Sequence, residues 1–225
     1  MSTVDYSLFL PDVNLSTTAC PEFERINQIR NAAQDFCRRS FMWRVRELAL
    51  FTTVAGQESY DITAVIPADA QLVGVHSAWA NGREVDVEEP GEVDDYAPGT
   101  QGRVDCGWPR CVIGIDGPGA LRATPAPDSG GIAITGTLSF APSDAATGVP
   151  DFIFNRWRRE IASGAIEILC AQEGKPWSNP GLAAFHKNKF DAAVMLAGSR
   201  AGPVRRKGLR VQMQDAGPAW YCRRS

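Results

Sequence analysis

The 225 residues carry 23 Lys and Arg against 26 Asp and Glu, a net charge of −3, which argues against a protein built mainly to coat nucleic acid. Hydrophobic residues at 44% and charged residues at 22% are ordinary globular values, so general disorder is not expected, and one domain, or one with a large insertion, can bury a core. No stretch approaches the roughly 18 apolar residues of a membrane helix, and without a basic start or a long apolar run at its N-terminus the chain is expected to be soluble and unsecreted.

The first clear element is "CPEFERINQIRNAAQDFCRRSFMW", which reads as a helix from Cys20. Pro21 suits its first position, and Glu22 and Glu24 favour its positive end. Phe23, Ile26, Ala33, Phe36 and Cys37 recur at helical spacing as an apolar side, and Arg25, Arg38 and Arg39 leave a basic outer face.

The period then changes to that of strands. "RELALFTTVAGQESYDIT" suggests two strands around an Ala55-Gly56-Gln57 turn, and "QLVGVHSAWANGREVDVEE" a hairpin whose Asn81-Gly82 pair suits a type I′ turn. After the acidic, Gly- and Pro-punctuated stretch beyond Glu84 come "RCVIGID", "GALRATP" and "GIAITGTLSFAP", three short strands. Together they predict a compact antiparallel sheet, sandwich or small barrel.

Helical period returns at Val149-Pro150-Asp151, with Asp151 as the expected cap and Gly174 as the stop. Phe154, Trp157, Ile161, Ala165, Ile168 and Leu169 form the apolar stripe, and Arg156, Arg158 and Arg159 lie on the other side. "GKPWSNP" connects this helix to another: Ser178 or Asn179 caps it, Pro180 opens it, and Leu182, Phe185, Phe190, Val194 and Leu196 supply its apolar side. Beyond Gly202-Pro203 the chain is basic and without period, and is expected to be an extended arm ordered by its partners.

The fold class expected is therefore α+β. An N-terminal arm and helix (1–43) and a helical hairpin (150–202) form a bundle, an antiparallel β domain (44–149) is inserted between them, and residues 203–225 form the extended arm.

Chemistry-bearing patterns are sparse. His76 and His186 have no metal-ligand spacing around them and read as structural or surface residues. Cys106 and Cys111 lack the further pair that zinc requires, and read as a local disulfide or two idle thiols. Cys37 and Cys170 fall in apolar helical patterns, as small buried hydrophobes do. The carboxylates Glu84, Asp86, Glu88, Glu89, Glu92, Asp94 and Asp95 do not follow calcium-loop spacing. The phosphate-binding loop, the dinucleotide fingerprint and the GxSxG elbow are all absent from the sequence. No cofactor or metal is expected, and enzymatic activity is not.

The tail residues Arg200, Arg205, Arg206, Lys207, Arg210, Arg223 and Arg224, with Trp220 and Tyr221 between them, are candidates for partner binding, either to phosphates or, as favoured here, to an acidic protein surface. Arg38, Arg39, Arg156, Arg158 and Arg159, against Glu88, Glu89, Asp94 and Asp95, are candidate subunit contacts of opposite charge.

"LPDV", the first helix, "TTVAGQESYDI" and "RWRREIASGAIEILCAQEGKPWSNPGLAAFHKNKFDAAVMLAG" occur in an order that resembles the head-to-tail adaptors of tailed bacteriophages, also called connector or head completion proteins, and above all the tubular tail protein A type. The resemblance implies a structural virion protein at the head-tail junction, assembled in the host cytoplasm. It implies a ring of about twelve copies around a DNA channel, with the portal on one side and a tail nozzle or stopper protein on the other. The packaged DNA would pass without sequence-specific binding, and no membrane would be involved. The readings that compete are another tail-completion ring protein and a nucleic-acid-binding accessory protein acting through the basic tail.

Overall fold

A computed structural model describes residues 2–85, 87, 112–124, 126–127 and 129–201. The architecture is α+β: four helices with several antiparallel sheets.

The chain begins with strand β1 (Thr3–Asp5), a 3-10 turn over Tyr6–Phe9 and the short helix α1 (Leu10–Asn14). Asp5 Oδ1 accepts from the Ser7 N–H at 2.7 Å and starts the turn. Tyr6, Phe9 and Val13, at three- and four-residue spacing, enter the core. The sequence reading assigned no element before Cys20, yet this segment carries three buried anchors.

Helix α2 (Glu22–Ser40) follows, with Glu22 and Glu24 in its first turn and Arg38 and Arg39 in its last, both favourable to the helix dipole. Pro21 is its N-cap, at φ −57° and ψ 144°, and not its first helical residue. The helix stops at Phe41, which turns left-handed at φ 50° and donates its N–H to Cys37 O at 2.9 Å. It therefore ends before the "FMW" that periodicity had included. Ala33, Phe36 and Cys37 are fully buried as expected. Phe23 is not: in the first turn of α2 it is 67% exposed.

The strands β2 (Arg44–Thr52), β3 (Ser59–Asp61), β4 (Ala70–Ala80), β5 (Arg83–Val85), β6 (Val112–Gly117), β7 (Ala120–Thr124) and β8 (Ala133–Pro142) form two antiparallel sheets, in the orders β2-β8-β4-β5 and β3-β7-β6. The β4–β5 hairpin turns through Asn81 and Gly82 with both φ values positive, 46° and 81°, as a type I′ turn requires. β2 and β3 join different sheets and meet through side chains: the Phe51 and Tyr60 rings stack at 4.0 Å. β8 is an inner strand, paired with β2 and β4, and Ile134, Leu138 and Phe140 are buried along it while α2 packs against it.

Strand β9 (Gly148–Pro150) pairs with β1 and leads directly into α3 (Asp151–Cys170). Asp151 does not cap this helix. Pro150 is the N-cap and, with no polar side-chain atom, makes no cap bond; Asp151 is the first helical residue, and its carboxylate accepts from the Ser2 hydroxyl. α3 ends at Cys170, four residues before Gly174, which lies in the following turn at φ 72°. Asn179 caps α4 (Pro180–Ala201), its Oδ1 accepting from the Leu182 N–H at 3.1 Å, and Pro180 is the first helical residue as expected.

Helices α2, α3 and α4 meet around Phe36, whose ring lies 5.3 Å from Trp157 and 6.3 Å from Phe190. Gly164 on α3 permits the close approach: a Cβ there would sit 2.7 Å from the Phe190 ring and 3.2 Å from Ala32. The face of α4 that enters the core consists of Ala183, Phe190, Ala193, Val194 and Ala197. Phe185 and Leu196, placed by sequence on the buried side, point away at 63% and 47% exposure. α4 carries apolar side chains all round, so periodicity alone could not choose its inner face.

Candidate interaction surfaces

Arg44 ties the bundle to the first sheet. Its Nε donates to Phe41 O at 3.0 Å and one terminal nitrogen to Ala201 O at 2.7 Å, so one guanidinium serves carbonyls at the C-terminal ends of α2 and α4. The described residues end at Ala201.

His76 lies beside that junction. It is the additional residue of a bulge in β4, where Val75 pairs with Leu138 and Ser77 with Thr137. It meets the Phe41 ring edge-on at 5.3 Å, and neither of its nitrogens has a hydrogen-bond partner among the described residues. Burial, reinforced by the Arg44 guanidinium, pushes its pKa from 6.5 down to about 4. Between those values the unfolded chain binds a proton that the folded chain does not, so stability is expected to fall as pH drops from about 6.5 towards about 4. His76→Leu should flatten most of that slope in urea titrations run across the window; an unchanged slope would remove His76 as its source.

The predicted arginine candidates divide by geometry. Arg39 pairs with Asp35 at 3.0 Å and with Asp191 of α4 at 2.6 Å, and lies over the Phe190 ring at 5.8 Å. Its hydrogen bond holds the Asp191 carboxyl below the usual carboxylate range. Arg158 pairs with Asp12 of α1 and lies over the Phe154 ring. Both arginines therefore bind elements of their own chain together, and as half-exposed pairs each contributes at most about 1 kcal/mol. Arg38 reaches Gln71 Oε1 at 3.2 Å and remains exposed, as do Arg156 and Arg159. Arg200 belongs to the last turn of α4, where its guanidinium approaches the buried Trp157 ring at 5.9 Å from one helix as Arg156 does at 5.8 Å from another. Arg205, Arg206, Lys207, Arg210, Trp220, Tyr221, Arg223 and Arg224 lie outside the described residues, as do Glu88, Glu89, Asp94 and Asp95, Cys106 and Cys111. Cys20, Cys37 and Cys170 are free and buried.

Trp177 is half-buried against the core in the turn between α3 and α4, its Nε1 donating to Gln172 Oε1 at 3.0 Å. Gln172 in turn donates to Glu24 of α2 at 3.2 Å. The side chain thus packs the turn onto two helices. Trp177→Ala is expected to cost about 2–3 kcal/mol, read as a lower urea midpoint, and to leave partner binding intact once corrected for unfolded protein; selective loss of binding at unchanged stability would mark it as a contact residue.

Sequence reasoning missed the outward apolar residues. Leu8, Leu15 and Phe23 at the N-terminal side, and Phe185, Met195 and Leu196 on α4, are all exposed. On α4, residues 185, 192 and 196 fall on one helical face opposite Phe190 and Val194, but both faces are apolar and no signal in the sequence marks which is buried. No helix among the described residues is long and apolar enough to cross a membrane, and no group of three or more His, Cys, Asp or Glu among them is placed to hold a metal ion.

No curated protein matches this chain. The family model described as SU10 adaptor protein matches residues 10–207, which takes in α1, the two larger sheets and all three long helices. A protein of that kind is a structural component of a phage virion that joins head and tail proteins, and such families are normally non-enzymatic. Spanning most of its length, the match shows that the chain belongs to the SU10 adaptor protein family.

Proposed function

We propose that this chain is a head-to-tail adaptor that assembles as a ring of about twelve copies, joins the portal to a tail nozzle or stopper protein, and encloses the channel through which DNA passes. The observation that carries the reading is the family match over residues 10–207. In this reading 1–43 and 150–202 form the bundle that builds the ring, 44–149 form the β unit, and 203–225 form a basic arm. Arg205, Arg206, Lys207, Arg210, Trp220, Tyr221, Arg223 and Arg224 on that arm, with Arg200 at its root, contact the portal or a neighbouring copy. Arg38, Arg156 and Arg159 are available for subunit contacts, whereas Arg39 and Arg158 already hold α4 and α1 to their own chain. The finer likeness to the tubular tail protein A type and assembly in the host cytoplasm belong to the same proposal. No catalysis, cofactor or membrane enters it.

The test is native mass spectrometry of the protein alone and mixed with the portal protein of the same phage, followed by imaging. The expected result is a portal complex carrying about twelve copies. Failure to join the portal at any salt concentration, with DNA affinity that falls steeply as salt rises, would replace the adaptor with a nucleic-acid-binding accessory protein.

A further inference from the structure

The bundle exposes large apolar side chains on two opposite sides. On α4, Phe185, Met195 and Leu196 face outward at 63%, 76% and 47% exposure, beside Ala192. Phe23, on the side of α2 away from α4, is 67% exposed, and in the N-terminal segment Leu15 is 87% and Leu8 53% exposed.

The opposition follows from how α2 is used. Ala32 and Arg39 meet α4 and its partners, Ala32 near Phe190 at Gly164 and Arg39 at Asp191. Helix α2 packs against the 3-10 turn that carries Tyr6, with Arg30 and Cys37 on the side of α2 near that residue. At about 100° per residue Phe23, Arg30 and Cys37 share one side of α2, roughly opposite Ala32 and Arg39. The hydrogen bond from Arg25 to Asn14 holds Leu15 near the same end of α2 as Phe23.

Charge follows the same division. Residues 1–24 contain Asp5, Asp12, Glu22 and Glu24 and no Lys or Arg; Asp12 is paired with Arg158 and Glu24 accepts from Gln172, so Asp5 and Glu22 supply the acidic rim, whereas on α4 Lys189 and Arg200 fall on the side of Phe185 while Lys187 turns to Glu167 and Asp191. Two unlike patches, apolar at their centres and of opposite charge at their rims, on opposite sides of one subunit, are what a head-to-tail contact between copies requires. A self-complementary patch would need only one.

We infer that the outer face of α4 docks on the Leu8/Leu15/Phe23 side of a second copy of this chain, so that these two surfaces form the repeating contact of the ring; the inference rests on the ring reading proposed above.

Two double variants test it. Met195→Asp with Leu196→Asp blocks the α4 face, and Leu15→Asp with Phe23→Asp blocks the other; all four positions are exposed, and unchanged circular dichroism and melting would verify the fold. Copies per assembly are counted by native mass spectrometry, with and without the portal protein. Each variant alone is expected to lose assembly at least about tenfold. Mixed together they are expected to form pairs and nothing larger, because one intact face of each kind remains. Either variant assembling like the wild type, or a mixture that yields no pairs, overturns the assignment and gives the α4 face to a different virion protein while the ring stands. A wild type that forms no multi-copy assembly, alone or on the portal, overturns the ring reading and this contact with it.

Discussion

Phe36→Ala is expected to destabilise the protein by about 3–5 kcal/mol, the cost of emptying a fully buried aromatic site. Its ring is inaccessible to solvent and stands between Trp157 of α3 and Phe190 of α4. The cavity would open where three helices meet. The measurement is the urea midpoint of the full chain. A loss that large is a substantial part of the stability of an ordinary domain, so partial unfolding at room temperature is an accompanying expectation. Phe36→Leu, which keeps most of the volume, should cost less than half as much. A Phe36→Ala loss below about 1 kcal/mol would mean that the helices do not converge there.

Gly148→Ala should act on the other side of the bundle. Gly148 pairs with Asp5 across the β1–β9 ladder, and a Cβ on it would fall well inside contact distance of Val4 O and 2.7 Å from Val4 C. These are backbone atoms and cannot rotate away, so the strands must part. With β1 go its hydrogen bonds and part of the anchoring of Tyr6, Phe9 and Val13, a combined loss of about 3 kcal/mol. The diagnostic reading is limited proteolysis, with cleavage within residues 2–20 appearing at protease concentrations that leave the rest intact. Cleavage no faster than in the wild type would show that β1 is not held by this pairing.

The two variants also mark where the sequence was legible. Phe36 was assigned to a buried helical face because Ala33, Phe36 and Cys37 recur at the helical period, and α2 buries that face. The type I′ turn at Asn81-Gly82 and the Asn179-Pro180 start of α4 were equally readable, since each depends on residues adjacent in the chain. Gly148 and the N-terminal segment were not. A three-residue strand has no period, and β1 exists only because β9, nearly 150 residues later, pairs with it.

The remaining differences share that origin. Asp151 looked like a cap, but β9, held by β1, runs to Pro150 and makes Asp151 the first helical residue. Arg39 and Arg158 read as a free basic face, but Asp191 and Asp12 arrive from distant elements to pair with them. Phe23, Phe185 and Leu196 were assigned inward by spacing alone.

By itself, then, the amino-acid sequence determined the α+β class, the order of the three long helices and of the strands between α2 and α3, and turns such as Asn81-Gly82, because these follow from propensity and periodicity over a few residues. Tertiary structure decided which face of α4 is buried, which arginines are spent within the chain and which apolar side chains remain outside. Those are outcomes of packing between segments remote in sequence, where an apolar residue is buried only if another element arrives to cover it.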